Sequence, residues 1–282
     1  MKIKKKVSLW FLAVFGVFCA AGAVFGMLVW SQSQLGNVNA ASTAVLSGKT
    51  VLFDGDSIAM GSYALGTTSA PRWSYANYIE ETYGISNTNV SIGGARFYWP
   101  NAASDSNCSS GDAQKCVIPN HLTFTVKNTS YDYIILEGAI NDLHSNYYNG
   151  DHESYATALR NYFNTVTTNS KWTHAKIGFV IVPKPDYSRK KLYRQEEEKV
   201  FWKTIQNICD EYSIEYINFF KQSSSDDYTV PSGFDWDFMD TEVSGANDVG
   251  SFDGLHPSKG GHKVLGEYIA KWMANLPNYK YT

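Results

Sequence analysis

The sequence is poor in the residues that usually mark a metal centre. It has four cysteines and six histidines in 282 residues. Cys108 and Cys116 form the only close cysteine pair, and the two further ligands of a structural zinc site do not accompany them at finger spacing. No metal and no cofactor are expected. Basic charge is scarce as well, with 24 Lys+Arg against 27 Asp+Glu. Four of those lysines, Lys2, Lys4, Lys5 and Lys6, stand at the N-terminus, and without them the chain carries about −7. That balance argues against nucleic acid as a partner, and against a body drawn to anionic lipid. Internal repeats and low-complexity tracts are absent too. A length of 282 residues with 44% hydrophobic and 18% charged composition suits one large globular domain or two small ones.

Long apolar runs are also missing, with a single exception. Val7 to Trp30 is uncharged and apolar, and it follows the four lysines. A secretory signal has a core of about 7–15 apolar residues, whereas a membrane-spanning helix needs about 20. The run is long for a cleaved signal and right for a single-pass anchor. The lysines then stay cytoplasmic and the rest of the chain lies outside. Secretion after cleavage near Val38-Asn39-Ala40 is the alternative. Ser31 to Gly48, rich in Ser, Asn, Gln and Ala, reads as a flexible stalk. The expected organisation is therefore an anchor or signal over 1–30, a stalk over 31–48 and a domain over 49–282. In an oxidising compartment, Cys108 and Cys116 flanking "CSSGDAQKC" are expected to form a disulfide, with Cys209 a buried free thiol.

The rest of the chain alternates two periodicities. "TVLF" (50–53), "NVSI" (89–92), "YDYIILE" (131–137), "AKIGFVIV" (175–182) and "IEYINFF" (214–220) read as strands. Several are apolar throughout, as parallel strands covered on both faces must be. Between them "WSYANYIEETYG", "SYATALRNYFNTV", "KLYRQEEEKVFWKTIQNICDEY" and "SKGGHKVLGEYIAKWMANL" have helical spacing. Such alternation predicts one α/β domain with a mostly parallel five-stranded sheet between two helical layers. Two connections, about 95–121 and 221–252, are long enough to suggest functional loops.

The stretch "VLFDGDSIAM" (51–60) offers two chemistries. Asp54 and Asp56 match the D-x-D pair of a phosphatase that forms an aspartyl-phosphate. That chemistry also needs later carboxylates to hold magnesium, typically as G-D-x-x-x-D. Gly150-Asp151 is followed by His-Glu-Ser-Tyr, without the second aspartate. The other reading makes Ser57 a nucleophile, which needs a base and a group to fix the tautomer of that base. "FDGLHPS", just before the last helix, supplies Asp253 and His256 on one loop, with Pro257 set to stiffen the first helical position. Oxyanion donors are offered by "SIGGAR" (91–96), best placed at the Gly94 N–H, and by the Asn141 side chain of "LEGAIND" (136–142). Each motif follows a strand end or opens the last helix, and ligands of open α/β sheets bind at those carboxyl ends. Asp54 and Asp142 are expected to bond the turns that hold Ser57 and Asn141. Glu137 is either a buried hydrogen-bonding carboxylate or a substrate contact. No partner for His121, His144, His152, His174 or His262 is evident.

Taken in order, Gly55-Asp56-Ser57, Gly94, Asn141-Asp142 and Asp253-x-x-His256 resemble the four blocks of the SGNH, or GDSL-type, esterases and acylhydrolases. The resemblance covers about residues 49 to 275. It implies the flavodoxin-like α/β/α fold of that family, with Ser57 as nucleophile, His256 as base and Asp253 as its orienting carboxylate. It also implies an oxyanion hole built from the Ser57 N–H, the Gly94 N–H and Asn141. One departure stands out. The family's third block usually has glycine two residues before the asparagine, where this chain has Ala139.

Aromatic loops follow the catalytic strand ends: "RFYWP" (96–100), "HSNYYNG" (144–150) and "GFDWDFMD" (233–240). Sugars and aryl groups stack on such rings, and the same rings also anchor long loops. Tyr98, Trp99, Tyr147 and Trp236 are the candidate substrate contacts. The expected activity is removal of O-acyl groups, acetyl above all, from an envelope or environmental polysaccharide. The alternatives are acyl transfer onto a glycan and glycan binding without catalysis.

Overall fold

The computed structural model describes residues 40–66, 72–98, 116–124, 126, 128–143, 152–182, 186, 198–219, 234 and 238–280. The chain divides into two units, Met1–Val45 and Leu46–Thr282, and the second holds the motifs. The apolar run over 7–30 lies outside the described residues, among which no helix is long and apolar enough to cross a membrane. Residues 40–46, assigned by sequence to the stalk, are helical.

Five strands form one parallel sheet: β1 (Thr50–Asp54), β2 (Ser86–Asn89), β3 (Tyr133–Glu137), β4 (Lys176–Ile181) and β5 (Glu215–Asn218). Their order is β2-β1-β3-β4-β5. The chain reverses its direction of winding between β1 and β3, and open α/β sheets bind ligands at such points, outside the strands' carboxyl ends. The central strand β3 is buried at every position, which is why its sequence is an unbroken apolar run up to Glu137. Each Val, Leu, Ile or Phe so buried contributes roughly 1.5–3 kcal/mol.

After the helical residues 40–46, the α-helices among the described residues are α1 (Ser57–Met60), α2 (Tyr75–Tyr83), α3 (Ile118–Phe124), α4 (Ile140–Leu143), α5 (His152–Thr168), α6 (Glu198–Glu211) and α7 (Lys259–Asn275). Adjacent strand residues point to opposite faces, so β1 shows where the layers lie. Phe53 meets Tyr75 of α2 edge-on at 5.7 Å, and Asp54 accepts a hydrogen bond from Tyr162 of α5. One layer is α2 packed on α7, and the other is α5 packed on α3 and α6. Helix α2 opens with a capping box between Ser74 and Asn77 and closes on Gly84 in the left-handed region.

Two sequence expectations need correction. The second strand is Ser86–Asn89, not residues 89–92. It is an edge strand of polar, partly exposed residues paired only with β1, so burial left no apolar pattern to find. The expected residues run on beside β1, with Val90 N–H bonded to Phe53 C=O at 2.9 Å and Ile92 N–H to Gly55 C=O at 3.1 Å. Pro257 is not the first helical position either, because α7 starts at Lys259 with Ser258 as its cap.

Candidate active site

The turn after β1 is held from below. Asp56 caps α1, its side chain accepting the Ile58 N–H at 2.9 Å. Glu137, at the end of the neighbouring strand β3, accepts the N–H groups of Asp56 at 3.1 Å and Ala59 at 3.3 Å through one oxygen. A Cβ on residue 55 would sit 2.3 Å from that oxygen, so only glycine lets the turn rest on Glu137. Ser57 emerges as the first residue of α1, 6% exposed.

The loop before α7 is built with similar economy. Asp253 Oδ1 accepts the N–H groups of Leu255 and His256, at 3.0 and 2.9 Å. The buried Ser251 hydroxyl accepts the Gly254 N–H and donates to the His256 carbonyl, at 2.8 and 2.9 Å. The loop geometry leaves Asp253 Oδ2 2.8 Å from His256 Nδ1, and His256 Nε2 2.9 Å from Ser57 Oγ. Asp253, His256 and Ser57 therefore form one hydrogen-bonded row. With the proton on Nδ1, Nε2 is free to accept from the Ser57 hydroxyl. Burial works to raise the Asp253 carboxyl, but the hydrogen bond and charge of His256, with two backbone N–H groups, hold it far below its usual range. It stays an anion beside the imidazole.

The two donor motifs meet through one hydrogen bond. Asn141 Nδ2 donates to the Ala95 carbonyl at 3.1 Å, which pins the amide beside the Gly94 turn and leaves its second proton for another acceptor. Gly94 has φ +78°. Among the described residues, neither the Ser57 N–H nor the Gly94 N–H takes part in a backbone hydrogen bond. Asp142 accepts the N–H groups of Phe97 and Tyr98 at 3.1 and 2.9 Å, tying the third block to the loop after the second. Burial pushes its carboxyl up to about 7, against those N–H groups and the Arg96 charge.

Several expectations change here. Asp54 does not bond the turn that carries Ser57; it binds His121 Nδ1 at 2.6 Å and the Tyr162 hydroxyl at 2.6 Å, joining β1 to α3 and α5. His121 therefore has a partner, and it is a buried one. His262 is fully buried, and burial lowers its imidazole to about 3. Glu137 is a buried hydrogen-bonding carboxylate with no exposed surface. Ala139, the departure from the family pattern, has φ +88° and is buried. Its methyl costs backbone strain rather than room at the mouth of the site. Tyr98 is half-buried; Trp99, Tyr147, Trp236 and Cys108 lie outside the described residues. Cys116 is disulfide-bonded, and Cys209 is free and buried. Sequence reasoning missed Ser251 and Tyr63. Ser251 carried only the weak signal of lying two residues before Asp253. Tyr63 stacks on the His256 ring at a centroid distance of 5.0 Å and an interplanar angle of 21°.

A family model described as GDSL-like lipase/acylhydrolase matches residues 51–269. No curated protein sequence matches the chain. Among solved structures, a lipase/acylhydrolase from Enterococcus faecalis is similar with a TM-score of 0.51 and 16% identity, over 82% of this chain and 99% of that one. A carbohydrate acetylesterase family member from Sinorhizobium meliloti gives 0.50 and 17%, over 81% and 100%. A mutant of an acetyl-xylooligosaccharide esterase from Geobacillus stearothermophilus gives 0.51 and 15%, over 84% and 99%. At such identities these likenesses speak for the fold.

Proposed function

This chain belongs to the GDSL-like lipase/acylhydrolase family, and from that premise we propose that it is a serine esterase removing O-acyl groups, acetyl above all, from a polysaccharide. The observation that carries the reading is the unbroken row from Asp253 through His256 to Ser57, with contacts of 2.8 and 2.9 Å. Ser57 Oγ attacks the ester carbonyl while His256 Nε2 takes its proton. Asp253 holds the Nδ1–H and stabilises the imidazolium that results. The negative charge on the former carbonyl oxygen is met by the N–H groups of Ser57 and Gly94 and by the Asn141 amide. Collapse of this intermediate returns the proton to the departing sugar oxygen and leaves an acyl-serine. Water, deprotonated by His256, then releases the acid.

The polysaccharide substrate is supported by two features: the carbohydrate esterases among the structural neighbours and the aromatic stretches that follow the site's strand ends in sequence. An extracellular location on a membrane anchor belongs to the same proposal and rests on the Val7–Trp30 run behind four lysines. Mass spectrometry of the native protein checks it; a chain starting near Ala41 means secretion without an anchor. For activity, the full chain should hydrolyse p-nitrophenyl acetate and release acetate from an acetylated glycan panel. Ser57→Ala should remove nearly all turnover while leaving the melting curve unchanged. Full turnover by Ser57→Ala would defeat the proposal.

A further inference from the structure

Tyr63 is the residue at the site that the family reading leaves unexplained. It lies in the connection after α1, where its backbone sits at φ +59°, a conformation that costs a bulky residue strain and that glycine adopts freely. The connection is fixed at several points. Gly61 caps α1, the Ser62 N–H bonds the Ser57 carbonyl at 2.9 Å, the Gly66 N–H bonds the Tyr63 carbonyl at 2.8 Å, and the Lys259 N–H bonds the Ala64 carbonyl at 2.7 Å. The segment is thus clamped between the helix that carries Ser57 and the start of α7, which follows His256. Its strained backbone delivers the phenol ring face-on to the imidazole, 5.0 Å away and 21° from parallel. Backbone strain persists where the surroundings enforce it, and here what it delivers is a ring over the base.

We propose that Tyr63 is a positioning residue for His256, its ring fixing the imidazole plane and supporting, by its negative face, the imidazolium that the reaction creates. The inference rests on the reading of His256 as the base. Two effects follow from the stack. The ring blocks rotation of the imidazole out of the row between Asp253 and Ser57. It also offers a cation a π-face within about 6 Å, the range in which such contacts are attractive. Among the described residues, the other titratable groups shown to interact with His256 are Asp253 from its own loop, Asp56 from the turn before α1 and His262 from α7. None of them changes when residue 63 is substituted, so a shift in pH behaviour reports the ring.

The test compares Tyr63→Leu, Tyr63→Gly and Tyr63→Phe in the full chain on p-nitrophenyl acetate, with Ser57→Ala alongside. Leucine keeps an apolar face and the backbone strain but has no π-face. We expect kcat to fall by about tenfold with KM little changed. The acid limb of the pH–rate profile should move about half a pH unit lower, as the cation loses its support. Glycine relieves the strain and removes the ring, so its melting temperature should hold or rise while kcat falls at least as far. Phenylalanine keeps the ring and should restore what leucine loses to within about twofold. A leucine or glycine variant with wild-type kcat and an unmoved acid limb overturns the inference, as does a phenylalanine variant as impaired as leucine. Turnover surviving in Ser57→Ala would instead remove the premise that His256 serves as base.

Discussion

Glu137 gives the sharpest test of how the turn that carries Ser57 is held. It is fully buried, and burial first, then the neighbouring Asp56 charge, raises its carboxyl well above the ordinary 4.5. One of its oxygens accepts two N–H groups. Glu137→Ala strands both donors, at about 1–3 kcal/mol each, and opens a void under Gly55. A loss of about 4 kcal/mol follows, worth roughly 10 °C in melting temperature for a chain of this size. Glu137→Gln is nearly isosteric with the neutral acid, keeps an acceptor for both N–H groups, and should cost under about 1 kcal/mol at pH 5. The two proteins must then diverge with pH. Above about 4.5 the unfolded chain loses the proton that the folded chain keeps, so wild-type stability falls as pH rises. Glutamine has no such proton. Relative to wild type the glutamine variant gains stability as pH rises past that point, by at most about 1.4 kcal/mol per pH unit. Urea unfolding of both proteins between pH 5 and 7 measures the gap. Parallel stability profiles would show that burial does not raise the Glu137 carboxyl, and the account of the turn would fall.

Three other outcomes are expected. Asn141→Ala should lower kcat on p-nitrophenyl acetate by about 10²–10³, the usual loss for one oxyanion donor, and a change of under about fivefold would remove Asn141 from that role. Ala139→Gly relieves a left-handed backbone and should raise stability by roughly 0.5–1 kcal/mol, partly offset by glycine's greater freedom when unfolded; a lower melting temperature would contradict the strain. Thiol labelling without reductant should modify Cys209 only after denaturation, since it is free and buried, and should leave Cys108 and Cys116 unmodified throughout; labelling of either would break the expected bridge.

What the sequence displayed depended on whether a residue's role leaves a pattern. Strands β3 and β4 are covered on both faces, so their apolar runs announced them. The edge strand β2 has no such obligation and was misplaced by three residues. Ser57, Asp253, His256, Gly94 and Asn141 were legible as a constellation because each stands at a strand end or before the last helix. The structure puts the first three in one hydrogen-bonded row. Partners distant in sequence were not legible. Asp54 and His121 are 67 residues apart, and Asp54 and Tyr162 are 108 apart; only the packing of α3 and α5 on β1 brings them together. Tyr63 was hidden for another reason. Its role depends on a positive φ that nothing in its residue type announces.

The same geometry bears on why we read serine chemistry, not aspartyl-phosphate chemistry, in one short turn with two aspartates and a serine. Alternation along β1 sends Asp54 into the layer of α3 and α5, where it has no exposed surface and both oxygens are engaged. An aspartate so held has no path to a phosphorus atom. Asp56 also has no exposed surface, and burial raises its carboxyl to about 6 against the Ile58 N–H and the charge of His256. One of its oxygens, Oδ1, caps α1. The two carboxylates that read as a nucleophile and acid pair are thus turned into scaffolding on either side of Gly55, which must be glycine to seat the turn on Glu137. What the turn leaves outward is the Ser57 hydroxyl, facing His256 across 199 residues of chain at 2.9 Å. A strand that ends in a buried aspartate, a glycine without room for a side chain and a capping aspartate together fix the direction of one serine. In the proposed mechanism its reactivity depends on the loop before α7, where Asp253 and Ser251 set the imidazole.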